Sequence, residues 1–332
     1  MRVKLLLLLV STVVTLAIVE LVLDYTVFDY QHNIEANSDN PVLHFELTPH
    51  PPSMWTDVFG EQYEVRINRH GMRGPEVEQR KAEGVFRVAV VGDSFVFGAG
   101  VEESATLPAQ LEARLAERAG QPLEVLNFGV GAYNALQESE LIATRVLDFA
   151  PDLLIWVYYI NDLEEQDHHP FVLEHCGVPV GIGEGIDDWL RRYFKLYRLA
   201  VHRTRYSMDK ETMYEPGGLA LRCYRRCAQR VGALARERGL PVILAFLPFP
   251  GWEGIEPWID PRDRPHVETA AREQGFVYTD LTEALRGHPV DAITNSVADR
   301  HLNRAGYALL AAHLAEIIVT NQLAKPRADE KI

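Results

Sequence analysis

The sequence predicts an α/β fold in which a parallel five-stranded sheet is covered by helices on both faces. Short apolar runs alternate with helical patterns from residue 86 onward, the order that gives parallel sheets. The run DLLIWVYYI at 152–160 is apolar after its first residue, as expected of a strand buried on both faces. With 47% apolar and 24% charged residues, the chain has a globular composition, which excludes wholesale disorder.

Each element of this fold has its own signal in the sequence. The strands are predicted at 86–93, 122–129, 152–160, 241–248 and 275–280. Helices are predicted at 107–119, 136–149 and 303–320. In the first of these helices, Leu107, Leu111 and Leu115 fall on one face and Pro108 lies in the first turn, where proline is tolerated.

The 332 residues divide into four predicted parts, with one insertion. These are an apolar segment at 1–23, an extension at 24–84, the main domain at 85–322 and a tail at 323–332. The alternation in YEVRIN, at 63–68, predicts one strand of a small hairpin within the extension. The insertion at 163–240 has helical patterns near 187–207 and 218–238, and we expect it to shape a cap or one wall of a cleft.

The first segment predicts a membrane anchor. The span from Leu5 to Leu23 is apolar apart from a few small polar residues and Glu20, and approaches the roughly 20 residues that cross a bilayer as a helix. Arg2 and Lys4 precede it, which places the amino terminus in the cytoplasm. We therefore expect a single-pass protein of the inner (cytoplasmic) membrane, with the main domain outside the cytoplasm. Secretion after signal cleavage is the alternative, although no small-residue cleavage pair follows the run.

Charge and cysteine content limit the partners and the redox state. The 33 basic and 47 acidic residues give a net charge of −14, so nucleic acid is not expected as a partner. In an oxidising compartment Cys176 can pair with Cys223 or Cys227, whereas the latter two lie four residues apart on one predicted helix, a poor geometry for a bond between them. Three buried, reduced cysteines are the alternative.

Polar residues cluster where the predicted strands end. Ser94 follows the first strand, a glycine-rich stretch follows the second, and Asn161 follows the third. Asp299 and His301 precede the last helix. Because ligands of parallel sheets bind beyond the carboxyl ends of the strands, these groups are expected to meet at one edge. A serine, a histidine, an aspartate and several hydrogen-bond donors are the groups that acyl transfer requires.

Four blocks of sequence resemble those of the GDSL family of SGNH hydrolases. They are GDSF at 92–95, NFGVGAYN at 127–134, IND at 160–162 and DRHLN at 299–303. The resemblance covers roughly 86–320 and implies a flavodoxin-like three-layer sandwich. The competing nucleophile elbow, GxSxG, is excluded because position 96 is Val96 and not glycine.

The resemblance also implies roles for matching residues. Ser94 would be the nucleophile, His301 its general base and Asp299 the group that orients the imidazole. The oxyanion hole would combine the Ser94 N–H, the side chain of Asn161 and a second main-chain N–H. Aligned through the block, the family's oxyanion glycine falls on Ala132, with Gly131 just before it, so either residue can supply that N–H. The closing block reads Asp-x-His instead of the commoner Asp-x-x-His.

The function expected from these features is that of a serine esterase that hydrolyses acyl esters on glycans or lipids, with no cofactor and no metal. An O-acyltransferase of the same fold, acting on envelope polysaccharide, is the first alternative, because the acyl-enzyme chemistry is shared. A non-catalytic binding protein is the second, and the intact Ser94, Asn161 and His301 argue against it. The sequence predicts neither the acyl group nor any protein partner.

Overall fold

The computed structural model describes residues 2–23, 34–40, 42–43, 45–56, 60, 62–118, 121–164, 190, 218–248, 262–296 and 299–324. The strands are β1 (Glu35–Asn37), β2 (Phe45–Leu47), β3 (His50–Thr56), β4 (Gln62–Ile67), β5 (Phe86–Gly92), β6 (Leu123–Gly129), β7 (Leu153–Tyr158), β8 (Val242–Phe246) and β9 (Val277–Asp280). The helices are α1 (Arg2–Leu23), α2 (Ser94–Phe97), α3 (Leu107–Ala116), α4 (Ala135–Thr144), α5 (Asn161–Glu164), α6 (Leu219–Glu237), α7 (Arg264–Gln274), α8 (Thr282–Leu285), α9 (Val290–Ile293) and α10 (Arg304–Thr320).

Strands β5 to β9 form one parallel sheet in the order β6-β5-β7-β8-β9. This is the strand order of flavodoxin-like doubly wound sheets, in which the chain reverses its direction of travel after the first strand pair. Strands β5, β7 and β8 are buried along their whole length, because helices cover both faces. The predicted parallel five-stranded sheet with flanking helices is therefore confirmed.

The side chains of the sheet alternate between two apolar layers. On β5, Val88 and Val90 belong to the apolar cluster that includes residues of α3 and α10, whereas Ala89 and Val91 belong to the cluster that includes residues of α4, α6 and α7. The alternation follows from the two-residue period of a strand. The layers place the sheet in the middle of a three-layer sandwich.

One helix is shorter than predicted, and another was not predicted. The helix predicted at 136–149 ends at Thr144, and a 3₁₀ turn leads to Ala150, which has a left-handed φ of 48°. Helix α7 has no counterpart among the predicted elements. Its buried residues are Val267, Ala270 and Ala271, and two alanines give almost no apolar periodicity to detect.

The segment before the sheet forms two antiparallel strand pairs, β1 with β2 and β3 with β4. On β4, Tyr63, Val65 and Ile67 are buried on one face, as the alternation at 63–68 predicts. Ile34 and Leu43 join the same apolar layer as α4. This segment therefore packs as part of the core.

The amino-terminal helix and the cysteines complete the fold. The side chains of α1 at 2–3, 5–9, 13, 20–21 and 23 lie outside the described set. Counting only what the structure describes, no helix has both the length and the apolar character needed to cross a membrane, so the predicted transmembrane helix is not supported.

Cys223 is disulfide-bonded and Cys227 is free and buried. Cys176, and the helix predicted near 187–207 apart from Leu190, lie outside the described residues.

Candidate active site

Ser94 is placed at the edge of the sheet by a turn at the end of β5. The carboxylate of Asp93 accepts a hydrogen bond from the N–H of Phe95 (2.9 Å), which caps the short helix α2. The helix ends at Gly98, whose left-handed φ of 90° would be strained for any residue with a Cβ. Ser94 is half-buried, so its hydroxyl is held at the carboxyl edge of the sheet and remains accessible.

His301 contacts Ser94 from the loop before α10. Its Nε2 lies 2.8 Å from Ser94 Oγ, and its Nδ1 lies 2.6 Å from Asp299 Oδ1. The ring also packs against Phe95, with the ring centroids 4.8 Å apart. A proton can therefore pass from the Ser94 hydroxyl to the imidazole, whose other nitrogen is held by a carboxylate.

Asp299 reaches the ring although only one residue separates it from His301. Its Oδ1 accepts both from His301 Nδ1 and from the His301 main-chain N–H (3.0 Å). The carboxyl group is buried. Burial alone would raise the pKa of Asp299, but the hydrogen bonds from His301 and Asn295 outweigh it and hold the pKa below its ordinary value. The carboxylate is therefore ionised at neutral pH.

Asn295 holds the second oxygen of that carboxylate, a contact that the sequence did not reveal. Its Nδ2 donates to Asp299 Oδ2 (2.8 Å) and to the carbonyl of Ala99 (3.2 Å). The Ala99 carbonyl fixes which end of the amide faces Asp299. Asn295 lies outside the four sequence blocks, and an asparagine in a short loop carries no signal of its own.

The glycine-rich block approaches Ser94 through the main chain. The N–H of Val130 donates to the carbonyl of Gly92 (3.1 Å), which ties the ends of β5 and β6 together. Asn161 Nδ2 donates to the carbonyl of Tyr133 (3.3 Å), which joins the third block to the second. The structure thus brings the four blocks to one edge of the sheet.

The main-chain N–H groups of Ser94, Gly131 and Ala132 make no hydrogen bond to another described residue. Ala132 is exposed and has a left-handed φ of 61°. A non-glycine residue in this conformation costs about 1–2 kcal/mol. The turn therefore offers adjacent unpaired donors on a strained and accessible stretch of backbone, the arrangement that binds anions in backbone nests.

Besides Asp299, three further acidic side chains are buried near the site: Asp93, Glu138 and Asp162. Glu138 Oε2 accepts from the indole N–H of Trp156 (2.6 Å), and Asp162 Oδ2 accepts from the N–H of Tyr159 (3.0 Å). Burial raises the pKa of all three groups, and it raises that of Asp93 to about 6.

The sequence profile of the GDSL-like Lipase/Acylhydrolase family matches residues 90–309, about two thirds of the chain. The match begins in β5, and all four blocks lie within it. The chain belongs to this family, whose members hydrolyse ester bonds. A search of curated proteins found no match.

Solved structures with a similar arrangement include three esterases and hydrolases. A lipase/acylhydrolase from Enterococcus faecalis is 15% identical, covers 74% of this chain and 100% of its own, and has a TM-score of 0.45. A point mutant of an acetyl-xylooligosaccharide esterase from Geobacillus is 16% identical and covers 74% and 97%, with a TM-score of 0.44. An alpha/beta hydrolase from the metagenome of Lake Arreo is 17% identical and covers 73% and 97%, also with a TM-score of 0.44.

Proposed function

We propose that the protein is a serine esterase in which Ser94 is the nucleophile, His301 the general base and Asp299 the orienting acid. The observation that carries this proposal is the continuous chain from Ser94 Oγ to His301 Nε2 (2.8 Å) and from His301 Nδ1 to Asp299 Oδ1 (2.6 Å). Without a neighbouring base a serine hydroxyl is a weak nucleophile, and this contact supplies the base.

The reaction would run in two half-steps. Ser94 Oγ attacks the ester carbonyl while its proton moves to His301 Nε2. The tetrahedral intermediate then expels the alcohol, which takes the proton from the imidazolium. Water attacks the acyl-enzyme in the same way, with His301 again as the base, and releases the acid and the free Ser94 hydroxyl. Throughout both half-steps, the ionised Asp299 stabilises the imidazolium.

The oxyanion of each intermediate would be received by main-chain and side-chain donors. The N–H groups of Ser94, Gly131 and Ala132, which donate to no other described residue, support this assignment, and the side chain of Asn161 lies beside the same turn. Removing one such donor typically costs about 2.7–4 kcal/mol of transition-state stabilisation.

The test is labelling with a fluorophosphonate probe, followed by a panel of acyl esters with and without sugar acceptors. We expect wild type to be labelled and Ser94→Ala to lose both labelling and turnover while its circular dichroism spectrum is retained. Labelling that persists in folded Ser94→Ala would contradict the assignment. Acyl groups released to water indicate an esterase, whereas acyl groups recovered on the sugar acceptor would indicate an O-acyltransferase.

We further propose that the main domain lies outside the cytoplasm and that its substrate there is an O-acylated glycan or lipid. The disulfide bond at Cys223 supports an oxidising compartment, because such bonds persist there and are rare in the cytosol. Protease added outside the inner membrane tests this location, since it should digest the main domain. Protection from that protease would contradict it.

A further inference from the structure

Arg73 is a buried arginine in the segment before the sheet, outside the 90–309 range that matches the family. Only 2% of its surface is exposed. Burying a guanidinium is costly unless its donors find acceptors. Desolvation lowers the pKa of Arg73 from its ordinary value, although an arginine remains charged at neutral pH.

The donors of Arg73 are directed at the end of helix α2. Its guanidinium donates to the carbonyls of Phe97 (3.1 Å), Gly98 (2.5 Å) and Val101 (2.6 Å), and to that of Glu64 on β4 (3.0 Å). It also lies over the ring of Phe97, 4.9 Å from the centroid. Arg73 therefore joins the hairpin β3–β4 to the turn that carries Ser94.

This contact bears directly on Ser94 because α2 is only one turn long. A helix of four residues cannot stand alone, and its last carbonyls have no partners within the helix. The N–H groups of Gly98 and Ala99 both return to the carbonyl of Ser94 (2.9 and 3.0 Å). Any shift of the Gly98 end is thus transmitted to Ser94 through the main chain. A cation at this end also complements the helix dipole.

Close packing on the other side leaves the turn no room to relax. A Cβ on Gly129 would lie 2.0 Å from the Phe97 nitrogen, so β6 already contacts α2 through its backbone. The turn is held between β6 and the Arg73 guanidinium.

We infer that Arg73 is a positioning residue for Ser94. The segment before the sheet, which contains the hairpin β3–β4 and Arg73, therefore helps to hold the nucleophile in place. The inference rests on the proposed function of Ser94. Loss of the guanidinium should misplace Ser94 relative to His301 and slow acylation while leaving substrate binding nearly unchanged.

The chain offers a matched control in Arg87, the other buried arginine of this region. Its guanidinium also donates to main-chain carbonyls, those of Gln79, Glu78 and Phe149, and it pairs with Glu124. Arg87 lies at the opposite end of β5 from Ser94. Arg87→Met should therefore lower stability but not the turnover of the folded protein.

The experiment compares Arg73→Met, Arg73→Lys, Arg87→Met and Ser94→Ala as full-length protein. It measures kcat, KM, the rate constant of fluorophosphonate labelling and the thermal midpoint. We expect Arg73→Met to lower both kcat and the labelling rate by about 10- to 100-fold, the scale of a misplaced catalytic group, with KM changed less than about threefold. Arg73→Lys should recover part of that loss, because an ammonium can reach some of the carbonyls but cannot bridge them as a planar fork does.

Two results would overturn the inference. One is a folded Arg73→Met whose kcat and labelling rate equal those of Arg87→Met. The other, which decides the matter if Arg73→Met does not fold, is an Arg73→Lys with wild-type kcat and labelling rate. Failure of the proposed function is recognised separately, because either wild type would then not be labelled or Ser94→Ala would still be labelled.

Discussion

Replacing Asp299 by asparagine tests how the loop before α10, the closing loop, fixes the orientation and tautomer of His301. Both carboxylate oxygens accept hydrogen bonds: Oδ1 from the ring and main chain of His301, and Oδ2 from Asn295. An asparagine supplies one oxygen and one NH₂ group in the same positions. It can therefore satisfy one side of the site only.

Each orientation of the new amide has a defined cost. With its NH₂ group toward His301, it faces the main-chain N–H and forces the ring into the tautomer whose Nε2 carries the proton, so Nε2 cannot accept from Ser94. With its NH₂ group toward Asn295, it meets a second NH₂ group that the Ala99 carbonyl prevents from flipping. A buried donor without an acceptor costs about 1–3 kcal/mol of folding stability in either orientation. Turnover falls because the wrong tautomer cannot take the proton and because the charge that stabilises the imidazolium is lost, and we expect kcat to fall by about 10- to 1,000-fold.

The assay is kcat on an activated acyl ester together with the rate of fluorophosphonate labelling. Asp291→Asn is the control, since Asp291 is an exposed acid on the neighbouring helix α9. The thermal midpoint confirms that each variant is folded. Turnover of Asp299→Asn within about twofold of wild type, beside an inactive His301→Ala, would refute the reasoning and leave a Ser–His pair without an orienting acid.

Two further predictions concern stability. Burial raises the pKa of Asp93 from 3.8 to about 6. The folded protein therefore holds this proton more tightly than the unfolded chain, which adds about 3 kcal/mol to the free energy of unfolding below pH 4, and this contribution is lost as the pH rises through 6. Asparagine does not titrate, so between pH 4 and 7 the free energy of unfolding measured by chemical denaturation should fall less in Asp93→Asn than in wild type. Curves of unfolding free energy against pH that run parallel for the two proteins would contradict this prediction. Ala132→Gly should relieve a left-handed strain of about 1–2 kcal/mol at an entropic cost of about 0.5–1 kcal/mol, for a net gain of about 0–1.5 kcal/mol with turnover within about threefold. Ala150→Gly, with a φ of 48°, is the matched control, and a tenfold loss of turnover confined to Ala132→Gly would show that the Cβ has a role in the site.

The sheet was predictable because its strands carry strong local signals. Buried strands such as β7 are continuous apolar runs that stand out in the sequence. The polar site residues form short motifs directly after the ends of these strands. The contact between Asp299 and His301 followed from the family blocks in outline. The sequence did not show whether Asp299, only two residues before His301, reaches the imidazole. The loop conformation answers this, because Asp299 Oδ1 accepts from both the ring and the main-chain N–H of His301.

The residues that support the site were not predictable, because their partners are main-chain carbonyls far away in sequence. Arg73 lies 24 and 25 residues from the carbonyls of Phe97 and Gly98, and nothing in the stretch RHGMRGPE marks one arginine as buried. Tyr133 likewise donates from the glycine block to the carbonyl of Phe45, a contact with the amino-terminal segment. Such contacts depend on tertiary packing, which periodicity does not encode.

The closing loop has a mechanical consequence for how the site can fail. The N–H of Asn295 donates to the carbonyl of His301 (2.9 Å), and the N–H of Ser296 to that of Asp299 (3.0 Å), so the base and its carboxylate are tied to the same loop. Ser94 lies on a different element, 207 residues away along the chain from His301. The Asn295 side chain joins the two, because its Nδ2 donates to the carbonyl of Ala99, whose own N–H donates to the carbonyl of Ser94. Loss of that one hydrogen bond should let the Ser94–His301 contact open while the imidazole–carboxylate pair stays closed, so a protein with a normal pair can already be inactive.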